Sequence, residues 1–225
     1  MRGTMIAFPS PSVSTPAYLS FPETDTGAGV IVIQEWWGLS DHIRDVTDRF
    51  ADAGFVALSP DLYHGEIAQS PDDARKLSMA LNIQQASAEV GAGARHLLAM
   101  AQVTPKKVGV VGFCMGGTLS FFAACANGRD VGACVIYYGG HPKVEYDYAR
   151  LRAPVLGHWA EHDGTANQNA ARIEAEVKRR GKSCEFHRYP GTKHAFFNDA
   201  RPEVYDKEAA QKSWDRTLAF FDVHL

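Results

Sequence analysis

The stretch Lys107-Val-Gly-Val-Val-Gly112-Phe-Cys-Met-Gly-Gly117 decides the fold. Lys107 to Gly112 is an apolar, valine-rich run of strand character, and Met115 to Ala126 reads as a helix beginning immediately after Cys114. Cys114 falls at the joint, with a glycine two positions before it and another two positions after. A tight strand-to-helix turn needs that Gly-x-nucleophile-x-Gly spacing, because the turn brings neighbouring backbone too close for a Cβ. The turn also sets the thiol at a helix N-terminus, where N–H groups and the macrodipole favour a thiolate, and it points the Met115 N–H toward an oxyanion. A bare Gly-x-Cys-x-Gly run equally fits a glycine-rich turn around a packed cysteine, the commonest fate of a free thiol. The strand before it and the helix after it favour the nucleophile reading.

Apolar runs and helical patches alternate on both sides of this turn, as in a mainly parallel sheet with helices on both faces. Gly29 to Gln34 is a nearly continuous β-branched run, expected of a central strand buried on both faces. Ser40 is placed to cap a helix carrying Ile43, Val46 and Phe50, which Gly54 stops before a strand from Phe55 to Ser59. Asp72 to Met100 is helix-rich. Further strands are expected at Ala133 to Tyr138, Pro154 to Trp159 and Ser183 to Tyr189, with helices at Ala166 to Arg180 and Glu203 to Val223. The last helix puts Ala210, Trp214, Leu218 and Phe221 on one stripe for docking on the sheet. The first twenty or so residues suit one or two antiparallel edge strands. With no repeat, linker or break in composition, residues 1–225 read as one α/β domain.

Composition narrows the function. The chain has 225 residues, 45% of them hydrophobic and 22% charged, and is long enough to bury roughly 70% of its unfolded surface without staples. Twenty-three Lys+Arg against 26 Asp+Glu, net charge −3, give no broad electrostatic grip on nucleic acid or an anionic membrane. A small-molecule partner is the expectation. No apolar run spans a bilayer, and Met1 to Ser20 lacks the apolar core of a secretion signal, so a cytoplasmic location is expected. Cys114, Cys125, Cys134 and Cys184 form no Cys-x-x-Cys pair and read as separate reduced thiols, the last three explained by packing.

A hydrolase elbow demands an acid and then a histidine, each in a loop after a late strand. Asp163 follows the Pro154 to Trp159 strand and His194 follows the Ser183 to Tyr189 strand. His194 would serve Cys114 as base and Asp163 would hold the imidazole in the useful tautomer. Glu161 is a rival acid and Asp147 a remoter one. Of the nine histidines, His42, His96 and His224 lie in expected helices and read as surface residues.

Gln34-Glu-Trp-Trp-Gly-Leu39, Pro60-Asp-Leu-Tyr63, Gly112-Phe-Cys-Met-Gly-Gly117 and Gly191-Thr-Lys-His-Ala-Phe196 carry a family resemblance. From about Met5 to Phe221 the chain resembles the dienelactone hydrolase family of α/β-hydrolases. The resemblance implies that fold, a Cys114/His194/Asp163 triad, a monomer without cofactor, and hydrolysis of dienelactone (carboxymethylenebutenolide), a step in bacterial breakdown of chlorinated catechols. It gives Glu35 a part in activating the nucleophile as substrate binds and makes the Trp36 N–H the second oxyanion donor beside Met115. Trp36, Trp37, Tyr63, Phe113, Tyr138 and Phe196 are aromatics suited to walling an apolar pocket, and the sequence context singles out Trp36 and Phe113. The family's well-studied members grip the substrate carboxylate with two arginines. Here the later of those positions is Asn198 and the earlier region offers only Arg75. Losing a charge-assisted contact costs on the order of 1.5–3 kcal/mol of binding, so a neutral lactone or small ester is the alternative substrate.

Other readings are weaker. His158 and His162 are four apart, a metal-binding spacing only on a helix, and no metal is expected. Gly91-Ala-Gly93 lies in a helical stretch with His96 where a dinucleotide fingerprint needs glycine, and no Walker motif is present. A noncatalytic hydrolase-fold module or a thiol redox sensor built on Cys114 would need neither the acid nor the histidine.

Overall fold

The structure, a computed structural model, describes residues 2–11 and 13–225. Its strands form one eight-stranded sheet in the order β1-β2-β4-β3-β5-β6-β7-β8. β1 (Thr4–Ser10) and β2 (Val13–Ser20) form an antiparallel edge pair, as the sequence suggested, and Met1 and Ser12 lie outside the described residues. β2 joins the sheet antiparallel to β4 (Val56–Pro60). From there β4, β3 (Gly27–Ile33), β5 (Val103–Phe113), β6 (Ala133–Tyr137), β7 (Val155–His162) and β8 (Cys184–Lys193) run parallel.

Helices cover both faces because successive strand side chains point to opposite sides. On one face, Ile31, Val108, Val110 and Ile136 pack under α3 (Ile83–Ala99), α4 (Met115–Ala126) and α5 (Gly164–Arg179). On the other, Val30, Val111, Phe113 and Val135 meet Ile43, Val46 and Phe50 of α1 (Asp41–Asp52) and Ala210 and Phe221 of α6 (Lys207–His224). The docking stripe expected on α6 forms, with Ser213 and Thr217 buried along it.

Several boundaries differ from the sequence reading. The helix-rich stretch after Asp72 is two helices, α2 (Pro71–Ala80) and α3, because the Asn82 side chain accepts from the N–H groups of Gln84 and Gln85 and starts a new helix. Ser40 stands at the N-cap of α1, but its side chain makes no capping bond; its backbone carbonyl accepts from Arg44 N. β7 and β8 both continue past their expected ends, carrying Asp163 and His194 to the same edge of the sheet. β5 begins at Val103, before the run that marked it. His42 is a buried residue of α1, paired with Asp199 at 3.2 Å, and not a surface histidine.

A buried polar network ties β6, β7 and β8 to α6. His158, fully buried, meets the Tyr189 hydroxyl at 2.9 Å and the Thr217 hydroxyl at 3.1 Å, and Tyr137 reaches Thr217 at 2.8 Å. Burial, reinforced by His187 and Arg216, holds the His158 pKa well below its ordinary 6.5. A depressed folded-state pKa gives stability that is complete above the unfolded value and is lost as the pH falls beneath it. The unfolding midpoint in urea is therefore expected to drop on acidification below about pH 6.5, and to drop less in His158→Gln. Equal acid sensitivity in the two proteins would remove His158 from that role.

Candidate active site

At the end of β5 the chain turns through Cys114, whose φ of 57° and ψ of −115° lie where L side chains are rarely found. The glycines around it are required by contact. A Cβ on Gly112 would lie 1.9 Å from the Gly116 carbonyl oxygen, one on Gly116 2.4 Å from the carbonyl oxygens of Ile33 and Gln34, and one on Gly117 2.6 Å from that of Tyr137. The Cys114 N–H is bonded to the Tyr137 carbonyl at 3.0 Å, fixing the turn on β6. Met115 is the first residue of α4, so its N–H is among those the helix itself cannot satisfy.

β7 and β8 deliver the other two groups. Asp163 is the N-cap residue of α5, directly after β7, and His194 directly follows β8 in a turn that Ala195 completes at φ 66°. His194 Nδ1 lies 2.5 Å from Asp163 Oδ2, and Cys114 lies close enough to the imidazole to raise its pKa. Burial opposes protonation of His194, but Asp163 and Cys114 outweigh it and carry its pKa up to about 10. The rival acids are occupied elsewhere. Glu161 accepts from the Gly191 N–H at 2.7 Å, bracing the end of β8 ahead of His194, and Asp147 accepts from the nearby Ala149 N–H at 3.2 Å.

Glu35 is buried just beyond β3, with each oxygen in contact with a neutral donor. Asn198 Nδ2 donates to Oε2 at 2.7 Å and the Tyr138 hydroxyl to Oε1 at 3.4 Å. Burial, together with the charges of Glu35 and Cys114, drives the Tyr138 pKa well above its ordinary 10, so the phenol keeps its proton for this bond. Tyr138 also presents its ring to His194 at 5.0 Å between centroids.

Cys114, His194 and Asp163 open on a cavity of about 550 Å³ whose walls include Trp36, Met115, Leu81, Ile83, Tyr138 and Val144. Three sequence expectations fail here. Phe113 is fully buried on the opposite face of the sheet, stacked on Phe197 at 5.2 Å, because neighbouring strand residues point in opposite directions. Asn198 is spent on Glu35 and is not part of the cavity wall. Arg75 lies on the exposed side of α2, paired with Asp72 at 3.1 Å. Among the described residues no arginine lines the cavity; Lys143 and the His141 imidazole, in the loop after β6, do. Tyr138 was one aromatic among several in the sequence, and only its place directly after β6 marked it. Asn198, four residues after His194, gave no sign of binding Glu35. His158 and His162 do not converge: the first is enclosed by Tyr189 and Thr217, and the second is exposed beside Glu161.

Comparison with known proteins gives this geometry its family. The family model of the dienelactone hydrolase family matches residues 15–225. "Protein usf" of Aquifex pyrophilus is 37% identical over 230 residues, covering 99% of each chain. A relative in Aquifex aeolicus, provisionally named a carboxymethylenebutenolidase, is 33% identical with 99% of each chain covered. Among solved structures, m3DLH superposes with a TM-score of 0.89 at 25% identity, covering 100% of this chain and 98% of the other. The chain is thus an enzyme with the α/β-hydrolase fold, a carboxylic ester hydrolase by class. It belongs to the dienelactone hydrolase family. No helix among the described residues is long and apolar enough to cross a membrane.

The His194 bonds make a measurable prediction. By NMR its imidazole is expected to keep its proton into the alkaline range, with a midpoint near about 10, and Asp163→Asn is expected to move that midpoint down toward 6.5. A wild-type midpoint already at 6.5 would contradict the arrangement.

Proposed function

We propose that the enzyme hydrolyses a small lactone or ester through a thioester on Cys114. The observation carrying this is the Cys114, His194 and Asp163 chain of contacts on the floor of one mostly apolar cavity. With the thiol's proton carried by His194, the Cys114 sulfur attacks the carbonyl carbon, and the oxyanion is received by the N–H groups of Met115 and Trp36. The C–O bond to the leaving group breaks as His194 gives the departing alkoxide or enolate a proton. His194 then takes a proton from water, whose oxygen attacks the thioester; the C–S bond breaks and Cys114 is restored. Asp163 keeps the imidazole oriented through both halves.

Glu35 is assigned to nucleophile activation. In the resting enzyme Asn198 and Tyr138 occupy both carboxylate oxygens, so approach of Glu35 toward the thiol requires these bonds to be given up. Substrate entering beside Trp36 and Tyr138 is positioned to exchange them.

Dienelactone is the substrate suggested by the family. A second reading, neutral lactones and small esters, is favoured by the mostly apolar cavity wall, which holds no arginine among the described residues. Relative kcat/KM for dienelactone, its methyl ester and 4-nitrophenyl acetate separates the two. A preference for dienelactone of tenfold or more, on the order of 1.4 kcal/mol, supports recognition of the anion, and equal values support the neutral reading. In either case Cys114→Ala is expected to lose at least about 10³-fold in turnover. Wild-type and Cys114→Ala enzymes with the same rate would refute the nucleophile assignment.

A further inference from the structure

Two sequence motifs without a shared role meet beside the elbow. Gln34 Oε1 accepts the Leu62 N–H at 3.1 Å, and Trp37 O accepts the Ala68 N–H at 3.0 Å, so the loop after β3 is stitched to the loop after β4. Asp61, buried, shapes the second loop by accepting from the N–H groups of Tyr63 at 3.1 Å and Gly65 at 2.7 Å. The turn places the Tyr63 hydroxyl 3.2 Å from the carbonyl oxygen of Trp36 and 3.4 Å from the sulfur of Met115. One phenol therefore touches both residues whose N–H groups would receive the oxyanion. These residues come from different elements, the loop after β3 and the first turn of α4, and Tyr63 bridges them.

From this juxtaposition we infer that Tyr63 is a positioning residue that sets the separation of the two oxyanion donors. The inference rests on the acyl-transfer reading above and adds a residue to it. Tyr63 does not touch the reacting atoms in this role. Its O–H faces both the Trp36 carbonyl oxygen and the Met115 sulfur, so one hydroxyl holds the peptide that follows the first oxyanion donor against the side chain of the second. Tyr63 is 7% exposed and its hydroxyl pKa is raised by burial and by Cys114, so the donor persists across the working pH range. Donors set in advance act without reorganisation when charge develops, so slackening them affects the transition state and leaves ground-state binding unchanged.

Tyr63→Phe removes the hydroxyl and keeps the ring, so the packed turn retains its shape. With 4-nitrophenyl acetate, kcat is expected to fall about tenfold with KM changed less than twofold, a smaller loss than deleting an oxyanion donor outright. Alkylation of Cys114 by iodoacetamide, which forms no oxyanion, is expected to proceed at the wild-type rate, and thermal melting checks that the variant is folded. A kcat within twofold of wild type would overturn the inference. So would alkylation that slows in step with kcat, which would put Tyr63 on the nucleophile itself. A wild type that neither turns over the ester nor reacts at Cys114 would instead overturn the acyl-transfer reading and this inference with it.

Discussion

The backbone of Cys114, held at φ 57°, constrains everything around it. A non-glycine residue in that region costs of order 1–3 kcal/mol and persists only where its surroundings leave no alternative. Here the Cys114 N–H is bonded to Tyr137 of β6, its carbonyl accepts from Gly117 and Thr118 of α4, and the glycines at 112, 116 and 117 let three pieces of backbone approach within the reach of a Cβ. The parallel alignment of β3, β5 and β6 brings those pieces together. The sheet thus spends part of its rigidity on presenting one thiol at the start of a helix.

Each neighbouring strand then contributes one component of the site. Glu35 and Trp36 follow β3, Tyr138 follows β6, Asp163 follows β7 and His194 follows β8, so these groups collect along the carboxyl edge of the sheet, where ligands bind in open α/β sheets. His194, its pKa raised, supplies a nearby proton and positive charge, and Glu35 is held close by on two neutral donors. In the activation proposed for Glu35, its release from Asn198 is the step by which substrate binding reaches the nucleophile.

The elbow was legible because its signals are local: β-branched residues on one side, helix formers on the other, and glycines at fixed distances from Cys114. Asp163 and His194 were legible from chain order after recognisable strands. Features set by tertiary partners were not. Phe113 adjoins the nucleophile in sequence yet faces the other layer, since strand residues alternate. Arg75 offered a charge but finds its partner three residues back on its own helix. Asn198 read as a weak substitute for a charged contact, and only the fold reveals Glu35 as its partner. The early start of β5 was hidden because its first residues include Pro105 and two lysines, and pair with β3 only at Val103 before a register shift.

The central claim is that acyl transfer passes through sulfur at position 114. Rapid acid quench of the enzyme during turnover of a slowly hydrolysed ester, followed by peptide mass spectrometry, tests it most directly. The account predicts an acyl mass on the peptide containing Cys114, formed and discharged within the catalytic cycle and labile to hydroxylamine as a thioester is. Turnover at full rate with no acyl group on Cys114, or with the acyl group on another side chain, would contradict it.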